Sequence, residues 1–176
     1  MHSLRRINSQ VLFSEKLDDA IIAFDKRNMK EILEKANVPF PEEKRRKGFE
    51  KATFIVAFNE RCEIIGYLEY CPSWDSEDDI YISSLQIEKK HRNGLLLARL
   101  CLEAKNDLLQ KKFNRIVSAV QKNNQVAINF CRKLGFNATE NPKSKESFFV
   151  FTDRSILEND ILRRYEGRIK KQSTSI

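Results

Sequence analysis

Between Ile80 and Val120 the spacing of apolar residues changes twice, and that change constrains the fold more than any other feature. Ile80–Ile87 reads as a strand. Leu97, Leu100, Cys101, Ala104 and Leu108 then share one helical face, with Arg99, Glu103, Asn106 and Gln110 opposite. Arg115–Val120 is a strand again. Two strands separated by a helix lie parallel in one sheet, joined by a right-handed crossover.

The flanks predict antiparallel pairing. Residues 4–12 read as a short edge strand, and Ser14 caps a helix whose apolar positions are Leu17, Ala20, Ile21 and Phe24. A second stripe, Met29, Ile32, Leu33 and Ala36, is offset from the first, which predicts a kink or two helices before Pro39 and Pro41. Glu42–Lys47 reads as a solvated charge run. Thr53–Phe58 and Glu63–Tyr70 form a hairpin about a turn at Asn59–Cys62, and Pro72–Asp79 is an acidic loop carrying Trp74. Downstream, Asn123 or Asn124 caps a helix with Ala127, Phe130, Cys131 and Leu134 on one stripe, and Gly135 ends it. Phe136–Ala138 and Ser147–Thr152 are a last strand pair. Ser155–Lys171 is a basic helix striped by Leu157, Ile161, Tyr165 and Ile169. The expected fold is α+β: a three-layer α/β/α sandwich around a mixed, mostly antiparallel sheet of about seven strands. It forms a single domain over residues 1–172, with 173–176 frayed.

Composition narrows the function classes. No run approaches the ~20 apolar residues a membrane span needs. The Lys and Arg residues number 32 against 25 Asp and Glu, and the net charge of +7 suits an anionic ligand or simple solubility. The four cysteines, Cys62, Cys71, Cys101 and Cys131, form no CxxC pair, and residues 1–10 do not read as a signal peptide. Reduced thiols in the cytoplasm are therefore expected. With only His2 and His91, no His-rich metal site is expected.

Two segments carry the candidate chemistry. In Leu85-Gln86-Ile87-Glu88-Lys89-Lys90-His91-Arg92-Asn93-Gly94-Leu95, a strand runs into a basic loop that opens a helix. Such a loop turns backbone N–H groups and the positive helix end toward one point, which suits a phosphate or diphosphate; an ordinary strand–helix loop with solvated lysines is the plain alternative. The second segment, Asn124 to Phe136, reads by itself as an amphipathic helix with a glycine stop.

In this order, the two segments resemble the GNAT superfamily of acyl-CoA-dependent N-acyltransferases. Leu85-x-Ile87, Arg92 and Gly94 match the family's central strand and phosphate loop in part. Asn124, Ala127, Phe130, Gly135 and Phe136 match its later helix at every spacing. The likeness spans roughly residues 50–152. It implies a GNAT-like fold in which strands 80–87 and 115–120 splay apart to admit acetyl-CoA as co-substrate. The pantetheine would pair with the backbone of Leu85, Gln86 and Ile87. The diphosphate would rest on amides of about Arg92, Asn93, Gly94, Leu95, Leu96 and Leu97. Asn124 would contact the pantetheine arm, with Ala127 on the same helix and Phe130 packing beside the cofactor.

The chain departs from the family pattern in two places. Leucines stand where loop glycines are expected, and glycine is what lets a backbone approach a phosphate closely. Cys131 replaces a tyrosine that often protonates the leaving thiolate; a thiol can donate that proton or simply pack in the core. The resemblance implies direct attack by an amine on the thioester. No carboxylate lies on Ile80–Ser84, so Glu69 on the neighbouring strand is the substitute base, with Tyr81 or Ser83 holding a water. The plain alternative for Glu69 is a solvated edge residue. A strand N–H near Ile87 would polarise the carbonyl oxygen.

The acceptor is then an amine. Asp75, Glu77, Asp78 and Asp79 either recruit a cationic one or solvate their loop. The alternatives are a non-catalytic relative with weak or no CoA binding, and a basic nucleic-acid-binding module using Arg163, Arg164, Arg168, Lys170 and Lys171. The latter lacks aromatic–basic interleaving and zinc spacing, so nucleic acid is not an expected partner. No membrane partner is expected, and a homodimer is the default assembly.

Overall fold

The computed structural model describes residues 2–37, 39–92 and 94–173. In chain order the elements are β1 (Ser3–Asn8), α1 (Ser9–Ser14), α2 (Leu17–Ala36), α3 (Glu42–Lys47), β2 (Thr53–Phe58), β3 (Ile64–Pro72), β4 (Asp79–Ile87), α4 (Leu95–Leu109), β5 (Arg115–Gln121), α5 (Gln125–Leu134), β6 (Asn137–Glu140), β7 (Ser147–Asp153) and α6 (Asp160–Ser173). The strands form one seven-stranded sheet in the order β1-β2-β3-β4-β5-β7-β6. The β4–β5 pair is parallel, and β1–β2, β2–β3, β5–β7 and β6–β7 are antiparallel. This is the mixed α+β sheet expected from the switch in periodicity after Ile87.

The chain groups into two compact units, Met1–Tyr70 with Ser84–Leu100, and Cys71–Ser83 with Cys101–Ile176. In the first, register places Ile7, Phe54, Val56, Tyr67 and Glu69 on one face of the sheet. Apart from Glu69, these residues join Leu12, Ile21, Ile22, Phe24 and Phe49 in one buried cluster. Each large apolar side chain removed from water contributes about 1.5–3 kcal/mol, so this cluster anchors α1 and α2 to the strands. Close approach of β3 to β4 has its own signature. A Cβ on Gly66 would lie 2.9 Å from the Gln86 carbonyl oxygen and 3.3 Å from Ile87 Cγ1, so only glycine fits without a shift. In the second unit, Val120, Ile128 and Val150 form a small core that Ala127, Cys131, Phe136 and Phe148 pack against.

Several local expectations are corrected. The edge strand stops at Asn8, whose side chain accepts from the Val11 N–H at 2.9 Å and caps α1. Ser14 ends that helix instead of starting one, and α2 begins past Lys16, which sits in the left-handed region at φ 54°. The offset stripes lie on one continuous 20-residue helix instead of two. Glu42–Lys47 is a helical turn whose Glu43, Lys44 and Lys47 are exposed as expected, but Arg45 turns inward, with only 18% of its side chain exposed. Asp79 belongs to the sheet, buried and held by Arg115 Nη2 at 2.6 Å and Nε at 3.2 Å, so it is not available to a loop that recruits amines. The last basic segment opens with a 3-10 turn over Arg154–Glu158 before α6, and Leu162 is buried where Ile161 was the expected stripe position.

Candidate functional site

The basic loop lies in the first unit and is built as a sharp exit from β4. Glu88 N–H donates to the Ile65 carbonyl at 2.9 Å, tying the strand end to β3. Residues Lys89–His91 make one 3-10 turn. Arg92 Nε donates to the Ile87 carbonyl at 2.8 Å, so this guanidinium holds the loop to its own strand. Gly94 adopts φ +83°, a left-handed turn, and a Cβ added there would meet nothing within 4 Å. Its carbonyl accepts from the Ala98 N–H at 3.1 Å, the first helical bond of α4.

The leucines that stand where the family has glycines differ in burial. Leu96 is buried, while Leu95 and Leu97 are half-buried. The Leu96 side chain therefore serves the interior, while Leu95 and Leu97 keep part of theirs at the surface. First-turn N–H groups of a helix have no carbonyl four residues back. The exposed Lys89 and Lys90 lie just before this turn, and a helix start flanked by cations is chemistry of the kind that attracts an anion. Asn93 lies outside the described residues. Leu85 and Gln86 are half-buried and Ile87 is buried at the strand end. Gln86 is held by Asn28 Nδ2, which donates to its Oε1 at 3.3 Å.

Glu69 is not the solvated edge residue that was one of its two expected states. It is 1% exposed and bonded twice to Arg45, through Nη1 to Oε1 at 3.0 Å and through Nη2 to Oε2. Arg45 Nε also reaches Asp25 Oδ2 at 2.8 Å, and its Nη2 donates to the Tyr67 hydroxyl at 3.0 Å. Tyr67 in turn donates to Asp25 Oδ1. Burial pushes the Glu69 carboxyl up; the Arg45 hydrogen bond and charge pull it back, and Asp25 adds to the rise. Burial likewise pushes the Tyr67 phenol well up. Sequence reasoning missed Asp25, Arg45 and Tyr67. The available signal was Tyr67-x-Glu69, two polar side chains on one face of an otherwise apolar strand.

The second unit holds the remaining candidates. Its parallel ladder covers Asp79↔Arg115, Ile80↔Ile116 and Tyr81↔Val117, and stops there although both strands continue. At the stopping point the Ser118 hydroxyl donates to the Ile82 carbonyl at 2.8 Å. Ser83 and Ala119, two residues past the last pair on each strand, are exposed in the middle of a sheet. Tyr81, half-buried, is in that last pair. Asn124 is exposed and caps α5, its Oδ1 accepting from the Ala127 N–H at 3.0 Å. Ile128 and Leu134 are the buried anchors of α5, while Phe130 is half-buried and outside the small core. Cys131 packs against that core, and burial pushes its thiol up. Gly135 closes the helix at φ +93°.

Two open grooves of about 460 Å³ lie elsewhere, one beside Lys26 and Phe40 and one beside His2, Glu60 and His91. Among the described residues there is no cluster of metal-ligating side chains, and no helix is long and apolar enough to cross a membrane.

The model of the GNAT acetyltransferase family matches residues 20–136. Comparison with curated proteins finds no match. Among solved structures, the PaiA N-acetyltransferase of Thermoplasma acidophilum in complex with coenzyme A is 18% identical, with a TM-score of 0.60 over 87% of this chain and 99% of its own. A GNAT-family acetyltransferase from Staphylococcus aureus is 14% identical, with a TM-score of 0.69 over 87% of this chain and 99% of its own. An acetyltransferase from Thermus thermophilus is 17% identical, with a TM-score of 0.61 over 87% and 97%. At these identities the likeness is one of fold.

Proposed function

Because the chain belongs to the GNAT family of acetyltransferases and is an acyltransferase, we propose that it moves an acetyl group from acetyl-CoA to an amine by direct attack within a ternary complex. The observation that carries this reading is the β4–loop–α4 junction. A left-handed Gly94 with open space beside it, an inward-facing Leu96 and the first-turn amides of α4 together suit a diphosphate.

In this reading, backbone groups of Leu85–Ile87 pair with the pantetheine, and the amides of Gly94–Leu97 take the diphosphate. Arg92 holds the same loop to its strand, and Asn93 keeps the cofactor-contact role its motif position implies. On the second unit, Asn124, Ala127 and Phe130 keep the cofactor-contact roles their motif positions imply. Acetyl-CoA supplies an acetyl group already activated as a thioester. The chain's part is to hold it, to polarise its carbonyl with a strand N–H near Ile87, and to receive the amine's proton. Glu69 serves that last step from within its buried cluster, and Tyr81 beside the ladder's end orients water. Cys131 is the thiol available to protonate the departing sulfur. We place the reaction in the cytoplasm, where the free cysteines stay reduced.

The test is thiol release with acetyl-CoA across a panel of small amines, polyamines and lysine peptides, with the acetylated product identified by mass. Amine-dependent release supports the reading. Release that ignores every amine contradicts it.

A further inference from the structure

We propose that Ser84, Tyr67 and Asp25 form a proton path that carries the acceptor amine's proton from β4 into a buried carboxylate pair, Asp25 and Glu69. The proposal deepens the acetyl-transfer reading and rests on it.

The path is continuous within the first unit. Ser84 Oγ lies 3.3 Å from the Tyr67 hydroxyl, Tyr67 donates to Asp25 Oδ1, and Asp25 shares Arg45 with Glu69. The direction of each bond is fixed by donor and acceptor counting. An ionised carboxylate only accepts, so the single Tyr67 proton points at Asp25. The Tyr67 oxygen must then accept, from Arg45 Nη2 at 3.0 Å and from the Ser84 hydroxyl. Ser84 Oγ in turn accepts from Gln86 Nε2 at 3.4 Å and has a further lone pair for an incoming proton. Ser84 is half-buried, the least enclosed member of the path, so its hydroxyl is the outer end.

Charge explains why the inner end accepts. Asp25 and Glu69 are 0% and 1% exposed and share one guanidinium, so the cluster carries one negative charge in excess when both are ionised. The groups facing it are Asp25 from α2, Arg45 from α3 and Tyr67 and Glu69 from β3, with apolar Phe49 and Phe54 beside them. A buried excess charge is costly, and one added proton removes it. Burial accordingly pushes Glu69 up.

The step balances. The amine nitrogen forms the N–C bond and the C–S bond breaks, its electron pair leaving on sulfur. The amine proton passes to Ser84 as the Ser84 proton passes to Tyr67 and the Tyr67 proton to Asp25. Both hydroxyls end neutral, and the carboxylate pair holds one proton until it returns to solvent.

The experiment compares Ser84→Ala, Ser84→Thr, Tyr67→Phe and Glu69→Gln with the wild type in kcat and KM against pH, alongside an infrared pH titration of the free protein. Ser84→Ala and Tyr67→Phe should each lose about 10²-fold or more in kcat, the usual worth of a positioned proton acceptor, with the KM for acetyl-CoA unchanged. Ser84→Thr should restore most of the rate. Glu69→Gln removes the excess charge, so the acid limb of the profile should move to lower pH. The infrared spectrum should show a carboxyl titrating above the ~3.9–4.3 of free Asp and Glu, absent in Glu69→Gln. Folded Ser84→Ala and Tyr67→Phe proteins with wild-type kcat and pH profile would overturn the path, as would a free protein with no such carboxyl. Failure of the acetyl-transfer reading looks different: the wild type itself would release no thiol with any amine, and both conclusions would fall.

Discussion

Gly66→Ala tests how tightly β3 and the end of β4 are fitted together. The added Cβ would meet the Gln86 carbonyl oxygen at 2.9 Å, Ile87 Cγ1 at 3.3 Å and Ile87 Cα at 3.4 Å. Two of these are backbone atoms, so relief requires the strands to move apart by several tenths of an ångström instead of a rotamer change. Overpacking of this kind costs about 1–3 kcal/mol. At about 2–4 °C per kcal/mol for a chain of this size, Tm should fall by roughly 2–12 °C. The displaced atoms belong to Gln86 and Ile87, which hold the pantetheine in the proposed site, so acetyl-CoA affinity should fall as well. The assay is thermal unfolding and calorimetric titration of Gly66→Ala beside Gly48→Ala, where nothing lies within 4 Å of the added carbon. A Gly66→Ala protein with the Tm and affinity of the Gly48→Ala control would refute the argument.

Arg45→Met leaves Asp25 and Glu69 without their shared guanidinium. Denaturant unfolding at neutral pH should show a loss of about 3–5 kcal/mol, the cost of stranding buried charge. The pH dependence of stability has a definite sign. Burial raises the Glu69 carboxyl, so the folded chain binds that proton more tightly than the unfolded chain. The associated stability is fully present below the ~4.3 of an unperturbed Glu and is lost as pH rises through the raised folded value. Glu69→Gln should flatten that decline in a urea series taken against pH. Asn124→Ala removes the α5 cap at a cost of about 1 kcal/mol, whereas Asn124→Asp keeps the acceptor oxygen. If the side-chain amide also touches acetyl-CoA, Asn124→Asp should retain Tm and still bind the cofactor more weakly.

Much of this fold was legible because its elements announce themselves locally. The switch from a strand at Ile80–Ile87 to a helical face at Leu97–Leu108 requires a parallel crossover, and Gly135 after Leu134 marks a helix end through its need for positive φ. Boundaries failed where a side chain's partner lies far off in sequence. Arg45 looked solvated because nothing near it in the chain shows that Asp25 and Glu69 will fold onto it. Asp79 looked like one more acidic loop residue until Arg115, 36 positions away, claimed it. The leucines after Gly94 were ambiguous for the same reason. A sequence shows that Leu96 is large, but only the fold shows that it points inward.

A β4–α4 junction that grips a thioester cofactor must give a binding signal when the purified chain is titrated with acetyl-CoA in a calorimeter. One-to-one binding in the micromolar range, weakened when the charges of Lys89 and Lys90 are removed, is the predicted result. No heat of binding with millimolar acetyl-CoA would contradict it.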